Sequence, residues 1–385
     1  MAQALAKMLA PYFVQSGLTS VSLIAPLTQG LSNQNYYIRG VHASKPNAAE
    51  WVLRVNSWAS SQICNRDDEV SNWLLASEER LAPQIVYVSP DNSFYLSEFF
   101  AQNEPVCWSE LISANGSHPL TTTHNLWPDA ERKLLELLNG LKQLPLPSNV
   151  MNVDTQWQRY LARLTNMNLQ LTRLLGLSDI ECSVADVIAP PSASVHRSDI
   201  KSRARQSVSH TSEGNNLAEQ ALLSRWQQLY QQLLAQSHQI DAMLDSLAAC
   251  VNNLQFSHRD LNPYNILVVE DKLKCIDFEY ACRSHPLCDL AAVLASHSLS
   301  SEQRHWLIDS YLATNLNLND QARDAVTSAV DLYWVFAVCW ALQMAFDSLV
   351  KEGQLIKLDT GEAYHLVEDY LNCAQQYDEL IACCT

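Results

Sequence analysis

From Gln255 to Tyr280 the chain reads QFSHRDLNPYNILVVEDKLKCIDFEY, with His258, Asp260, Asn265, Asp277 and Glu279 as the side chains able to do chemistry. Asn265 follows Asp260 by five positions. Between Asn265 and Asp277 lie two apolar, β-prone runs, Ile266–Val269 and Leu273–Ile276, separated by the polar break Glu270-Asp271. That pattern predicts a hairpin with Asn265 at its start and Asp277 at its end, where the two side chains can converge. Phosphoryl transfer calls for such a set: one carboxylate to orient an incoming hydroxyl and take its proton, and a carboxylate and a carboxamide oxygen to hold magnesium against a triphosphate. Asp260 has the place of the first, and Asn265 and Asp277 have the place of the second. The plainer alternative is that His258, Asp260 and Asn265 cap and brace a turn.

The pattern H-x-D-x-x-x-x-N followed by I-D-F-E resembles the catalytic core of the aminoglycoside phosphotransferase and choline kinase superfamily, small-molecule relatives of the protein kinases. The resemblance runs from about Leu23 to Phe346. It implies an α+β, protein-kinase-like bilobal fold. A small antiparallel-sheet lobe (residues 1–100) would bind the nucleotide, and a larger, mainly helical lobe (101–385) would carry catalysis and substrate. It also implies ATP and magnesium as cofactors and a small alcohol as acceptor.

The first hundred residues can be read against that expectation. A weak helical period covers 2–15, and strand-like runs follow at 21–27, 34–39 and 51–55. Thr28 to Asn33, TQGLSN, is a glycine turn between the first two strands, able to bring backbone N–H groups near phosphate oxygens. It resembles the family's nucleotide loop at Gly30, Ser32 and Asn33, with Gln29 where the family often has a first glycine. Arg54, in WVLRV, has the place of the kinase strand lysine, and a guanidinium there can fork across two phosphate oxygens. The partner carboxylate is expected on a helix in RDDEVSNWLLASEERL, where Glu69 is the best match and Asp68 the runner-up. Strands at 84–89 and 93–100 complete a five-stranded sheet. LSEFFAQNEP resembles the adenine hinge, with backbone groups of Ser97 to Phe99 pairing with the base.

Beyond residue 100 the pattern is helical from Pro128 to Leu144, from Asp154 to Leu175, and in one long run from about Leu217 to Asn252. Residues 189–216 are rich in serine and charge and poor in large apolar residues, which predicts a disordered surface insertion. Asp289 resembles the family's aspartate that braces the catalytic loop. Two further helices are expected at 301–319 and 320–350. Glu279, two residues after Asp277, is assigned to the substrate ammonium or an outer magnesium shell. Trp340 is the best match to the aromatics that box a quaternary ammonium in choline kinases; an aromatic stripe at helical spacing is also what a plain core looks like.

The net charge of −16 opposes a phosphate-rich partner such as duplex DNA and suits a cationic substrate. The 11 cysteines form no CxxC pair, and Cys282, His285 and Cys288 lack a fourth ligand at sensible spacing for zinc. Reduced thiols in a cytoplasmic protein are expected. The apolar run Leu332–Phe346 is short for a membrane span and reads as a buried helix. Choline or ethanolamine, thiamine and aminoglycosides all remain open as acceptors. A catalytically inactive binding protein that kept the fold is the alternative of another class, and a metal hydrolase using His258, Asp260 and Asp277 is a remote third.

Overall fold

The computed structural model describes residues 2–27, 33–57, 61, 64–102, 107–111, 127–174, 213–351, 354–356 and 361–381. The chain forms two compact units. The first comprises Met1–Gln158, Gln236–Ala337 and Gln376–Thr385, the second Arg159–Ala235 and Val338–Gln375.

The first unit opens with helix α1 (Ala2–Gln15) and strands β1 (Thr19–Leu27), β2 (Gln34–His42) and β3 (Lys45–Val55). Helix α2 (Arg66–Glu78) and strands β4 (Ile85–Val88) and β5 (Phe94–Glu98) follow. The five strands form one antiparallel sheet, as the sequence predicts; their order is β1-β2-β3-β5-β4, and β2 and β3 are longer than expected. Because successive side chains of a strand point to opposite faces, each strand sorts its residues into two sets. Tyr36, Ile38, Trp51, Leu53, Phe94 and Leu96 pack with Leu9 and Phe13 of α1 into one buried cluster. Each large side chain so buried stabilises the sheet by roughly 1.5–3 kcal/mol. The alternate residues Tyr37, Arg54, Tyr95 and Ser97 therefore fall on the other face, the face on which the candidate site is built.

Helix α3 (Ala130–Leu141) belongs to the first unit, and helix α4 (Val153–Leu174) runs from the first into the second. The predicted long helix at 217–252 is two helices, α5 (Glu213–Ala235) and α6 (Ser237–Cys250). No glycine or proline marks the break. Gln236 leaves helical geometry at ψ 0°, and its side-chain amide donates to Asp378 at 2.7 Å, a tertiary contact that local pattern does not announce. The helical start at Glu213 also corrects the predicted insertion at its C-terminal end; residues 189–212 lie outside the described residues.

After α6 come β6 (Gln255–Ser257), the hairpin β7 (Ile266–Val269) and β8 (Lys272–Cys275), β9 (Cys282–Ser284) and helix α7 (Leu287–Ser296). β6 pairs with β9, and β7 with β8. Helix α8 (Ser301–Ala313) starts at a capping box between Ser300 and Gln303 and ends earlier than predicted. Asn315 Oδ1 accepts from Asn317 N at 3.1 Å, a local bond that competes with helical backbone, and Asn315 and Asn317 donate their side-chain amides to Gln255 Oε1. Helix α9 (Ala322–Leu349) contains Leu332–Phe346. It is long and apolar enough to cross a membrane, but 72% of its most apolar window is buried inside the protein.

In the second unit, Trp226 of α5 is fully buried, donates from Nε1 to Leu342 O at 2.7 Å and stacks on Tyr230. The Tyr230 hydroxyl pairs with Thr165 of α4 at 2.8 Å. A short ribbon, β10 (Val350–Lys351) and β11 (Gln354–Leu355), precedes the last helix, α10 (Gly361–Leu380).

Candidate active site

The site is built around three segments of the first unit: the turn after β6, the end of the β7–β8 hairpin, and the inner face of β3 with α2.

The turn after β6 is fastened by Asp289, near the start of α7. Its buried carboxylate accepts hydrogen bonds from Ser257 Oγ at 2.7 Å, His258 N at 2.9 Å and Arg259 N at 2.8 Å. Arg259 has a left-handed backbone, φ 71°. Its guanidinium donates to Ser284 Oγ and Gln156 Oε1, which anchors the strained residue. His258 is fully buried. Its Nε2–H donates to Ile276 O at 3.0 Å and its Nδ1 accepts from Asp260 N at 3.3 Å. The ring therefore ties the turn carrying Asp260 to the residue immediately before Asp277. With both ring nitrogens committed, it has no nitrogen for a metal, which removes the hydrolase reading that required it.

Asp260 is half-buried, and both carboxylate oxygens are oriented. Asn262 Nδ2 donates to Oδ1 at 2.9 Å and Asn265 Nδ2 to Oδ2 at 2.8 Å. Burial raises the pKa of Asp260, and the charge of Asp277 raises it further, while the two asparagines and His258 work the other way. A carboxylate has about four acceptor positions, so these two bonds leave room for a hydroxyl donor.

The hairpin closes through Glu270 and Asp271, both left-handed (φ 51° and 66°), the geometry of a two-residue turn matched to strand twist. Ile276 N donates to Asn265 O at 2.9 Å, which joins the two ends of the hairpin through the backbone. The paired run is Lys272–Cys275, one residue earlier than expected. Asp277 itself is left-handed, φ 69°, a strained position for a residue other than glycine.

Arg54 reaches Asp277 across the site. Its Nη1 lies 2.9 Å from Asp277 Oδ1, while its Nη2 lies 2.8 Å from Glu69 Oε1 and 3.6 Å from Glu279 Oε2. Burial opposes the Arg54 charge, but the three carboxylates outweigh it and hold its pKa far above the ordinary guanidinium value. Glu69 is fully buried on α2, and its Oε2 also accepts from the Tyr95 hydroxyl at 3.2 Å. Asp68, the alternative, is half-buried.

Asn265 turns its amide nitrogen to Asp260, and Asp277 uses Oδ1 toward Arg54. Asn265 and Asp277 each carry a further side-chain oxygen, both hard donors on partly exposed side chains. That fits magnesium, which takes one or two protein oxygens and leaves the rest of its shell to phosphate and water. No cluster of three or more His, Cys, Asp or Glu able to hold a metal occurs among the described residues. His285 uses Nε2 toward Leu247 O at 3.0 Å and accepts from Leu287 N at 3.1 Å, so it is not poised to form a zinc site with Cys282 and Cys288.

The other predicted residues are placed as follows. Gly30 and Ser32 lie outside the described residues. Asn33 is buried; its Oδ1 accepts from Ser57 N at 3.1 Å, and its Nδ2 donates to Glu279 Oε2 at 3.3 Å. Glu279 is thus engaged by Asn33 and Arg54, with its side chain 5% exposed. Ser97 is buried on β5. Glu98 N donates to Gln84 O at 3.0 Å and Phe99 N to Glu50 O at 3.4 Å, and the Phe99 ring stacks on Tyr37 at 3.9 Å. Trp340 belongs to the second unit and meets Tyr370 edge-on at 5.7 Å.

Sequence reasoning missed Arg66. This second buried guanidinium pairs with Glu69 Oε2 at 2.5 Å and donates to Asn33 Oδ1 at 3.3 Å. A charge count was the available signal: Glu69, Asp277 and Glu279 around Arg54 alone leave two negative charges in a mostly buried place.

The sequence model of a phosphotransferase enzyme family matches residues 23–326. Protein LicA of Haemophilus influenzae (strain ATCC 51907 / DSM 11121 / KW20 / Rd) is 34% identical over 83 residues, 19% of this chain and 31% of that protein's length. Among solved structures, choline kinase LicA from Streptococcus pneumoniae superposes with a TM-score of 0.50 at 13% identity, covering 98% of both chains. A choline/ethanolamine kinase family protein from Mesorhizobium loti gives 0.48 at 14% identity, covering 99% of both.

Proposed function

The chain belongs to the phosphotransferase enzyme family, and from that premise we propose that it transfers the γ-phosphoryl group of ATP to the hydroxyl of a small cationic alcohol of the choline or ethanolamine type. The observation that carries this reading is the junction of Asp260, Asn265 and Asp277, with Arg54 spanning from Asp277 to Glu69. Nucleotide binding falls to residues 1–100, and catalysis and acceptor binding to residues 101–385.

Asp260 receives the acceptor hydroxyl. Its two asparagine contacts fix the carboxylate plane, so the hydroxyl is aimed before reaction and its proton has a place to go late in transfer. Asn265 and Asp277 would hold magnesium, which when bound neutralises charge on the phosphates. Arg54, steadied by Glu69, grips phosphate oxygens. In the hinge, the amides of Glu98 and Phe99 are already bonded to neighbouring strands, so adenine would meet carbonyls of Ser97 to Phe99 or donors beyond them. Gly30 and Ser32 complete the nucleotide loop in this reading. Of the two roles expected for Glu279, its burial among arginines favours the outer shell of the metal over the substrate ammonium. Trp340 remains the candidate for an ammonium-facing aromatic.

The choline-type acceptor is supported by the E-Y after I-D-F, by the net charge of −16 and by the name of the pneumococcal neighbour. Cytoplasmic placement is supported by the free cysteines among the described residues.

Asp260→Asn tests the mechanism. It keeps size and loses the proton-accepting charge, so steady-state transfer falls by roughly 10²- to 10⁴-fold while nucleotide affinity changes little. Turnover near the parent's would remove Asp260 from its role.

A further inference from the structure

We propose that Arg66 is a positioning residue for the nucleotide: it couples the last residue of the glycine turn, Asn33, to Glu69 and Glu279, and so keeps Arg54 aimed at the phosphates. The proposal rests on the nucleotide reading of this site.

Arg66 is the first residue of α2, where a basic side chain is unfavourable to the helix dipole. Three acidic residues follow in the same turn. An arginine at such a place would ordinarily lie over the surface, yet this one is 8% exposed. Its contacts account for the burial. Nη1 meets Glu69 Oε2 at 2.5 Å and Glu279 Oε2 at 3.7 Å, Nη2 donates to Asn33 Oδ1 at 3.3 Å, and Nε donates to Ser61 Oγ at 3.1 Å.

Glu69 is thereby shared. One oxygen faces Arg54 and the other faces Arg66, so the carboxylate cannot swing without giving up a buried charge partner. Glu279 is shared in the same way, its Oε2 lying 3.6 Å from Arg54 and 3.7 Å from Arg66. Asn33 closes the ring: Oδ1 accepts from Arg66, and Nδ2 donates to Glu279. The same Oδ1 accepts from Ser57 N, beyond the end of β3, so the end of the β1–β2 connection and the exit of β3 are fixed to one guanidinium.

The planar fork matters as well as the charge. One guanidinium donates in three directions, to Ser61, Asn33 and the carboxylates, whereas a lysine ammonium at the end of its flexible stem would reach only part of this set. A role in charge balance alone would therefore survive Arg66→Lys, and a bridging role would not.

The test measures Mg-ATP affinity by calorimetry for the parent, Arg66→Lys, Arg66→Met, Asn33→Ala and the Arg66→Met/Asn33→Ala double variant, at a temperature where each is folded by near-UV circular dichroism. Both Arg66 variants are expected to bind Mg-ATP about 10- to 100-fold more weakly, the scale of losing a hydrogen-bonded partner of a site carboxylate. Acceptor KM should move by less than about threefold, because the Arg66 contacts with Ser61, Asn33, Glu69 and Glu279 go to the nucleotide-side groups and not directly to Asp260. The double variant should be no weaker than Arg66→Met within about twofold, since the two residues meet each other and share Glu279. Arg66→Lys with parental affinity overturns the bridging role. Lowered melting temperature with unchanged affinity makes Arg66 merely structural, and additive losses in the double variant separate it from Asn33. A parent that binds no Mg-ATP overturns the nucleotide reading itself, a result distinct from parental binding in the variants.

Discussion

Asp277 is where the demands on single residues meet. Its backbone is left-handed, one carboxylate oxygen is held by Arg54, and the residue before it is bonded to Asn265 O. A strained residue kept at a cluster of charges fits a group whose position matters more than its local comfort. Asp277→Ala should abolish the strengthening of ATP binding by magnesium, measured by calorimetry with and without the ion; equal Mg-ATP affinity in the variant would remove Asp277 from the metal role. At this scale the sequence was informative wherever spacing alone decides geometry. Asp260, Asn265 and Asp277 stand at fixed offsets around a hairpin, and strand alternation sets Arg54 opposite Trp51 and Leu53. Apart from that charge count Arg66 gave no local signal, because an Arg–Glu pair three apart on a helix is ordinarily a surface pair. Its burial depends on Asn33 and Glu279, which are distant in sequence.

Among the elements, the β7–β8 hairpin sets the separation of Asn265 and Asp277, and its turn carries a local cost. Glu270 and Asp271 both adopt φ above 50°, which for ordinary L-residues costs on the order of 1 kcal/mol each. Asp271 is compensated by Lys133 Nζ, 2.6 Å from its carboxylate. Glu270→Asn, at an exposed position tolerant of asparagine, should therefore raise stability by up to about 1 kcal/mol, and Glu270→Val should lower it, both read from urea midpoints. Identical midpoints would show that the turn is not strained as described. The polar break was visible in the sequence, and so were all five strands of the sheet. The split between α5 and α6 was not, because Gln236 is an ordinary helical residue and the break rests on its tertiary bond to Asp378.

Across the whole molecule, two buried histidines tie stability to pH. Burial lowers the pKa of His285 to about 4, with the nearby Arg259 charge acting in the same direction and the bond to Leu247 O against it. Burial likewise lowers His297 to about 3, where its Nε2 accepts from Trp108 Nε1 at 3.1 Å. The unfolded chain binds these protons near pH 6.5, whereas the folded chain does so only near the depressed values. Their contribution is therefore complete above pH 6.5. It is lost as pH falls from 6.5 to about 4 for His285 and about 3 for His297, on the order of a few kcal/mol at most apiece. Urea unfolding from pH 7 to 4 should show this decline, and His297→Asn should flatten it; an unchanged slope would assign the acid sensitivity to other groups.

The central claim is transfer of phosphate to an alcohol, and product identification tests it most directly. The parent protein would be incubated with ATP and magnesium and, in turn, choline, ethanolamine, thiamine and an aminoglycoside, and the products read by phosphorus NMR. A phosphate monoester of at least one cationic alcohol is expected, formed in step with ADP, absent without magnesium and lost in Asp260→Asn. ATP left intact with every acceptor, or consumed only to ADP and inorganic phosphate, would contradict it.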